Sequence, residues 1–327
     1  MNVEATLRYL VACSGSFISL GEGYGERGEN RTMDDFKPIE ILDKPVFDQF
    51  LQLDPPEISE MTFTNLFMWR HHYRPVWLRK DDCLLIMFQP RKGHPYGLYA
   101  IGPGDKSTAL AFLSQEMRKL TPEVTIRRVP ESFVKMHVDS QKYDAILDHD
   151  NSDYVYLAKD LITLSGNKYH RKKNHLNQFI KNNAFEYRQL DTELVECFLD
   201  MQESWCQMRQ CVEKPDLLAE DYAIHEALTR FGELSYQGGA IVINSRVEAF
   251  SLGEPLNQDT AVIHIEKANP DIQGLYAAIS QRFCANAWAD RTYINREQDM
   301  GVEGLRKAKK SYYPHHMVNK YILIPKT

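Results

Sequence analysis

The chain has 327 residues, of which 43% are hydrophobic and 26% charged, and it carries a formal charge of -6 at pH 7. That balance excludes disordered and fibrous classes and argues against nucleic-acid binding over the whole surface, so a local concentration of positive charge needs a local reason. The length exceeds the usual single domain and predicts two. No apolar run approaches the roughly 18 residues of a membrane span, and a water-soluble, cytoplasmic protein is expected.

The six cysteines form no C-x-x-C pair, so buried free thiols are expected rather than a disulfide framework or a zinc site. The segment LVAC at 10–13 resembles a lipoprotein cleavage box but lacks the apolar core before it. GEGYGERGENRT follows, polar and glycine-rich, and residues 1–33 read as a disordered or non-native leader, with packed structure starting near Met33.

FKPIEILDKPVFDQFLQL predicts a helix with Pro45 in its first turn and an apolar stripe of Val46, Phe47, Phe50, Leu51 and Leu53. After the aromatic-rich FTNLFMWRHHY come three strand-like runs, PVWLRK, CLLIMFQP and YGLYAIGP. STALAFLSQEMRKLT is a helix with Ser107 or Thr108 as its cap and Pro122 as its stop. VTIRRVP is a strand, ESFVKMH a short helix, and DYVYLAKDLITL a strand that closes the first half.

The second half opens with helices over SGNKYHRKKNHLNQFIKNN and DTELVECFLDMQESWCQMR. AIVINSRVEAFSLGEPLNQDTAVIHIEKA reads as three antiparallel strands, turning at Asn244–Ser245 and again at 257–259. GLYAAISQRFCANAWAD is a helix, TYINRE a strand, VEGLRKAKKSYY a helix and MVNKYILIP a strand. Each half is then an antiparallel meander followed by helix, strand, helix and strand. That order resembles the GNAT acyltransferase fold, and it predicts an α+β chain of two tandem GNAT-like domains, 34–164 and 165–327, each a mostly antiparallel mixed sheet flanked by helices.

Four stretches could carry chemistry. In HIEKANPDIQGLYAAI, Gln273 and Gly274 stand at the mouth of a helix, where unpaired backbone N–H groups can hold a phosphate and a glycine permits close approach. In INREQDMGVEGLRKAKKSYYP, helical geometry gives a core side of Leu305, Ala308 and Tyr312 and a cationic side of Arg306, Lys309, Lys310 and Tyr313. Glu297 and Asp299 lie where the preceding strand ends, a place that often lines a cleft in sheet-based enzymes. The run NKYHRKKNHLNQFIKNN holds Lys168, Arg171, Lys172 and Lys173 and no acid, which suits a coenzyme A tail, a transfer RNA end or an anionic lipid head group as well as a solvated face. His71 and His72 are adjacent and so point apart, and NLFMWRHHYRP reads as core aromatics rather than a metal site.

Together, FTNLFMWRHHY, YLAKDLITLSGNKYHRKKNHLNQF and YINREQDMGVEGLRKAKKSYYPHHMVNKYIL resemble a bacterial domain-of-unknown-function family related to the C-terminal domain of phosphatidylglycerol lysyltransferase. The resemblance implies tandem GNAT-like domains and relatives that move an aminoacyl group from charged transfer RNA to a lipid head group. On it, Glu266 and the group Arg306, Lys309 and Lys310 are the positions carried over. The expected function is transfer of an acyl or aminoacyl group from a phosphate-bearing donor, acyl-CoA or aminoacyl-tRNA, to an amine or hydroxyl. No tightly bound cofactor and no metal are expected. Gln273, Gly274, Arg306, Lys309 and Lys310 would hold the donor, Glu266 or Glu297 would act as general base with Asp299 orienting the loop, and strand N–H groups would stabilise the oxyanion. The contrasting expectation is a non-catalytic module docking RNA or anionic lipid through its basic helices.

Overall fold

In the computed structural model, which describes residues 35–326, the apolar segments collect into two seven-stranded sheets. The expectation for residues 1–33 falls outside the described residues. The first sheet runs, in spatial order, β1 (Lys37–Pro38), β2 (Pro75–Lys80), β3 (Cys83–Phe88), β4 (Tyr96–Gly97), β5 (Ile126–Pro130), β14 (Lys320–Pro325) and β6 (Tyr143–Leu147). The second runs β8 (Glu186–Gln189), β9 (Gln237–Ile243), β10 (Arg246–Pro255), β11 (Thr260–Ala268), β12 (Tyr293–Asn295), β7 (Asp153–Leu157) and β13 (His316–Val318). Around them lie helices α1 (Lys44–Leu53), α2 (Phe63–Met68), α3 (Arg70–Tyr73), α4 (Lys106–Arg118), α5 (Glu131–His137), α6 (Ala158–Thr163), α7 (His170–Asn182), α8 (Val195–Arg209), α9 (Pro215–Thr229), α10 (Leu275–Ala287) and α11 (Glu303–Lys310).

Both sheets are mostly antiparallel, with parallel pairing only at β4–β5 and β11–β12. In each, a helix joins the parallel pair, α4 in the first and α10 in the second, so the expected meander, helix and strand are present and the strand after the helix pairs parallel. The sixth position of each sheet is filled from the other half of the chain. Residues 34–164 lend β7 to the second sheet, and residues 165–327 lend β14 to the first.

The two crossings meet at a buried ionic cluster. Lys320, the first residue of β14, is 0% exposed, and its ammonium donates to Asp153 at 2.6 Å and Glu60 at 2.5 Å. Asp153, the first residue of β7, also accepts from the Ser59 backbone N–H and hydroxyl and from Asn295 Nδ2. Arg128 bridges Glu60 and Asp148, each at 3.0 Å. Burial pushes the Glu60 carboxyl above its usual range, against the pull of Lys320. An ammonium so placed is tolerable because each carboxylate that faces it is itself hydrogen-bonded.

Two apolar cores follow from the side-chain alternation of the sheets. One joins β3, whose six residues are all buried, with α1, α2, α4, α8 and α9 and with one face of the second sheet. The other packs the opposite face of that sheet against α6, α7 and α10.

Several local expectations differ from the structure. The cap of α4 is Asp105, whose carboxylate accepts from the N–H groups of Ser107 and Thr108. YGLYAIGP forms only the two-residue β4 and one bridge from Ile101 to Leu84. MVNKYILIP breaks at Asn319 into β13 and β14, which enter different sheets. Cys206 and Cys211 are joined by a disulfide, because Gln210 in the left-handed region turns the chain back at the end of α8. The proposed core side of α11 is not one. No residue of that helix is buried, Leu305 is 40% exposed, and only Tyr312 beyond its end enters the core.

Candidate active site

The parallel pairing of β11 with β12 stops at Val262–Asn295, although β11 continues to Ala268. Beyond that point the sheet opens, and side chains rather than backbone bridge the gap. Leu252 pairs with Ile265 and the next residue, Gly253, with Ile263, so His264 is the extra residue of a β-bulge. The bulge resets the alternation. His264 turns toward α2 on the face of Glu254, and Glu266, level with Ser251, lies on the face packed by α10.

The His264 side chain is 2% exposed and clamped by two carboxylates, Glu297 at Nδ1 (2.8 Å) and Glu254 at Nε2 (2.9 Å). Asn65 and Thr62 approach the same ring, and the Thr64 hydroxyl donates to Glu254. Burial alone would depress the imidazole, but the bonds to Glu254 and Glu297 outweigh it and lift its pKa to about 10. The ring is therefore an imidazolium at neutral pH, and Glu254, His264 and Glu297 together carry one net negative charge.

On the opposite face, Arg296 donates to Glu266 at 2.8 Å and lies against the rings of Tyr312 and Tyr156. Arg296 NH1 and Glu266 Oε2 are buried without a hydrogen-bond partner. Lys309 reaches in from α11 to the Arg296 carbonyl, and Lys172 reaches in from α7 to sit 4.1 Å from the Tyr312 ring centroid. Burial and the neighbouring Arg296 lower both lysines to about 8. Three cations thus gather beside Glu266, while the other carboxylates acting on Lys309, Glu297 and Asp153, are paired with His264 and Lys320; an anion would relieve the positive charge.

The loop after β12 that places these groups is strained and braced. Glu297 and Met300 have positive φ values of 58° and 53°, a conformation retained only where surroundings impose it. Asp299 does so: it is 1% exposed, takes two hydrogen bonds from Arg306 at 2.8 Å and one from Tyr154 at 2.6 Å, and its carboxyl is held well below the usual range, chiefly by Arg306. Arg306 also pairs with Asp150, so its charge is engaged in the brace.

Of the residues read from the sequence, Glu266, Glu297, Lys309 and Lys172 converge on the opening. Lys310, Arg171 and Lys173 are exposed, and Lys168 pairs with Asp160 at 3.2 Å. Gln273 is exposed at the mouth of α10. The room beside Gly274 is taken by α7, since a Cβ there would lie 2.4 Å from the His175 carbonyl oxygen. Nothing in the sequence singles out His264 or Arg296, although Arg296 stands in INREQDMGVEGLRKAKKSYYP beside Glu297 and Asp299.

The profile of the family described as "Phosphatidylglycerol lysyltransferase, C-terminal" matches residues 53–324. The chain belongs to this family. A conserved protein of unknown function from Bacteroides thetaiotaomicron shares 30% identity with a TM-score of 0.82, over 89% of this chain and 99% of that one. L-PGS from Bacillus licheniformis superposes with a TM-score of 0.63 over 86% of this chain and 91% of its own, at 12% identity, where what is shared is the fold. An uncharacterized protein of Mycoplasmoides gallisepticum is 26% identical over 191 residues, 56% of this chain, and the match spans 59% of that relative's length. Among the described residues of this phosphatidylglycerol lysyltransferase-family chain, no helix is long and apolar enough to cross a membrane.

Proposed function

We propose that the chain transfers an activated acyl or aminoacyl group from a phosphate-bearing donor, acyl-CoA or aminoacyl-tRNA, to an amine or hydroxyl through the opening between β11 and β12. The observation that carries this reading is the half-buried cation cluster of Arg296, Lys172 and Lys309 beside that opening, in which Arg296 Nη1 lacks a hydrogen-bond partner. Desolvated cations lacking enough counter-charge favour an anionic ligand, and donor phosphates supply one. Membership of a family named for lysyl transfer supports the same reading.

The acceptor's nitrogen or oxygen attacks the donor carbonyl, the ester or thioester bond breaks, and the departing oxygen or sulfur takes up a proton. In this reading Glu297, whose Oε1 is held by His264 and Asn65, receives a proton from the acceptor. Glu266 orients Arg296, and the Asp299–Arg306 brace holds the loop.

Donor binding and transfer are measured on the full chain with acyl-CoA and with aminoacyl-tRNA. One donor should bind and react, and Arg296→Met and Lys172→Met should each weaken its binding about tenfold or more. Absence of binding and transfer with both donors refutes the reading. Salt-sensitive binding to uncharged RNA or anionic vesicles that survives both substitutions would favour the non-catalytic module instead.

A further inference from the structure

On the α2 side of the second sheet, the chain forms a cleft of about 410 Å³ between α1, the segment leading into α2 and the β10–β11 turn. Leu51, Met61, Phe63 and Leu256 give it an apolar stretch of wall, beside uncharged polar residues such as Thr62 and Asn257. None of its lining residues is basic, and its ionisable lining is Asp48 and Glu254. Asp48 is paired with Lys44 at 2.6 Å on the exposed rim. Glu254 is different: it is 6% exposed and belongs to the Glu254–His264–Glu297 chain, where one imidazolium is shared by two carboxylates.

From this arrangement we infer that the cleft is a binding site for a primary amine carried on an unbranched apolar stem, and that this amine is the acceptor of the transfer. The inference rests on the proposed transfer reading for the word acceptor, but the binding site stands on its own geometry. A buried carboxylate that keeps a net negative charge through a shared cation stabilises an ammonium and penalises a carboxylate or phosphate in the same place. The apolar stretch of wall would hold a hydrocarbon stem. A hydroxyl brings no positive charge to meet two carboxylates that share the single cation of His264, so an amine is preferred over the alcohol of the same length.

A bound ammonium passes one proton to the Glu254 carboxylate, its freed lone pair attacks the donor carbonyl carbon, and the nitrogen gives up a second proton to Glu297 as the carbon–oxygen or carbon–sulfur bond to the donor breaks; one of the two protons leaves on the departing atom and the other is released to solvent. His264 joins Glu254 to Glu297 through its two nitrogens, so the proton can travel from the cleft to the opening within one hydrogen-bonded chain. The cationic face with Arg296 and the acidic cleft with Glu254 lie on opposite faces of the sheet, which keeps an anionic donor and a cationic acceptor apart except at the gap between the strands.

The test is titration of the full chain with n-pentylamine, n-pentanol and n-pentanoate, followed by calorimetry. Pentylamine should bind about tenfold or more tighter than either of the others, and Glu254→Gln should abolish that preference. Because Glu254 is buried, Ser235→Trp, on the exposed rim of the cleft, provides a second variant that fills the space without touching the core, and it should weaken pentylamine by a similar factor. Equal binding of amine and alcohol, or amine binding indifferent to Ser235→Trp, overturns the inference. Donor binding measured in the same variants separates the two readings. A chain that binds donor but not amine sinks only this site, and one that binds amine but no donor sinks only the transfer.

Discussion

Replacing Lys320 with Met should be among the most destabilising single changes the chain can undergo. The side chains are similar in length, so little packing is lost, but Asp153 and Glu60 keep their carboxylates with no ammonium between them. Removing one partner of a buried ion pair costs about 3–5 kcal/mol. Here Arg128 remains on Glu60, and Ser59 and Asn295 remain on Asp153, so the lower end, about 3 kcal/mol, is expected. Against a net stability on the order of 5–15 kcal/mol this is a large fraction. Equilibrium unfolding in guanidinium chloride, followed by tryptophan fluorescence, should show a lower midpoint with an unchanged slope. Adding Asp153→Asn and Glu60→Gln should recover much of the loss, because neutral partners no longer need the missing cation. A Lys320→Met loss below about 1 kcal/mol would refute the claim that this cluster holds the crossings together.

Three further outcomes can be checked. The His264 imidazole is raised from 6.5 to about 10 in the fold, so its contribution to stability is complete below pH 6.5 and is lost as pH rises through about 10. The slope should approach roughly 1.4 kcal/mol per pH unit within that window, and pH-dependent melting of His264→Gln should be flatter there. Gly274→Ala should destabilise by about 1–3 kcal/mol in urea unfolding, since φ is +83° and the new Cβ meets the His175 carbonyl; an unchanged midpoint would mean that α7 moves aside freely. Donor affinity should weaken between pH 7 and 9, because Lys172 and Lys309 lose their protons near 8, and a flat profile would remove these lysines from the anion site.

Local signals carried most of the strands. PVWLRK and CLLIMF flank Asp81 and Asp82, both at positive φ, and the second meander turns at Asn244 and Ser245 in the same conformation, so turn chemistry and alternation agreed. The site was legible only in pieces. Lys172, Glu266 and the pair Glu297 and Lys309 come from three separate stretches of sequence, each visible as charge beside an element end, but which cations turn inward depends on Tyr312 and Arg296. His264 sits in AVIHIEKA, where strict alternation would put it on the face of Glu266; the bulge that turns it away leaves no trace in composition. Lys320 opens a plain apolar strand, and its burial comes entirely from two carboxylates more than half the chain away. The sequence offers Gly274 as a place where a phosphate could come close, and the group that comes close there is the α7 backbone at His175.

The exchanged strands also bear on how the polypeptide can mature. During synthesis the first sheet emerges with a vacancy between β5 and β6, and the strand that fills it, β14, is made after every other described element. Until then the facing edges of β5 (IRRVP) and β6 (YDAIL) lie open, and such edges invite pairing with other chains. Ribosome-bound nascent chains of this protein should therefore stay protease-sensitive in their earlier lobe until the final strand is released, with both lobes gaining protection in one late step.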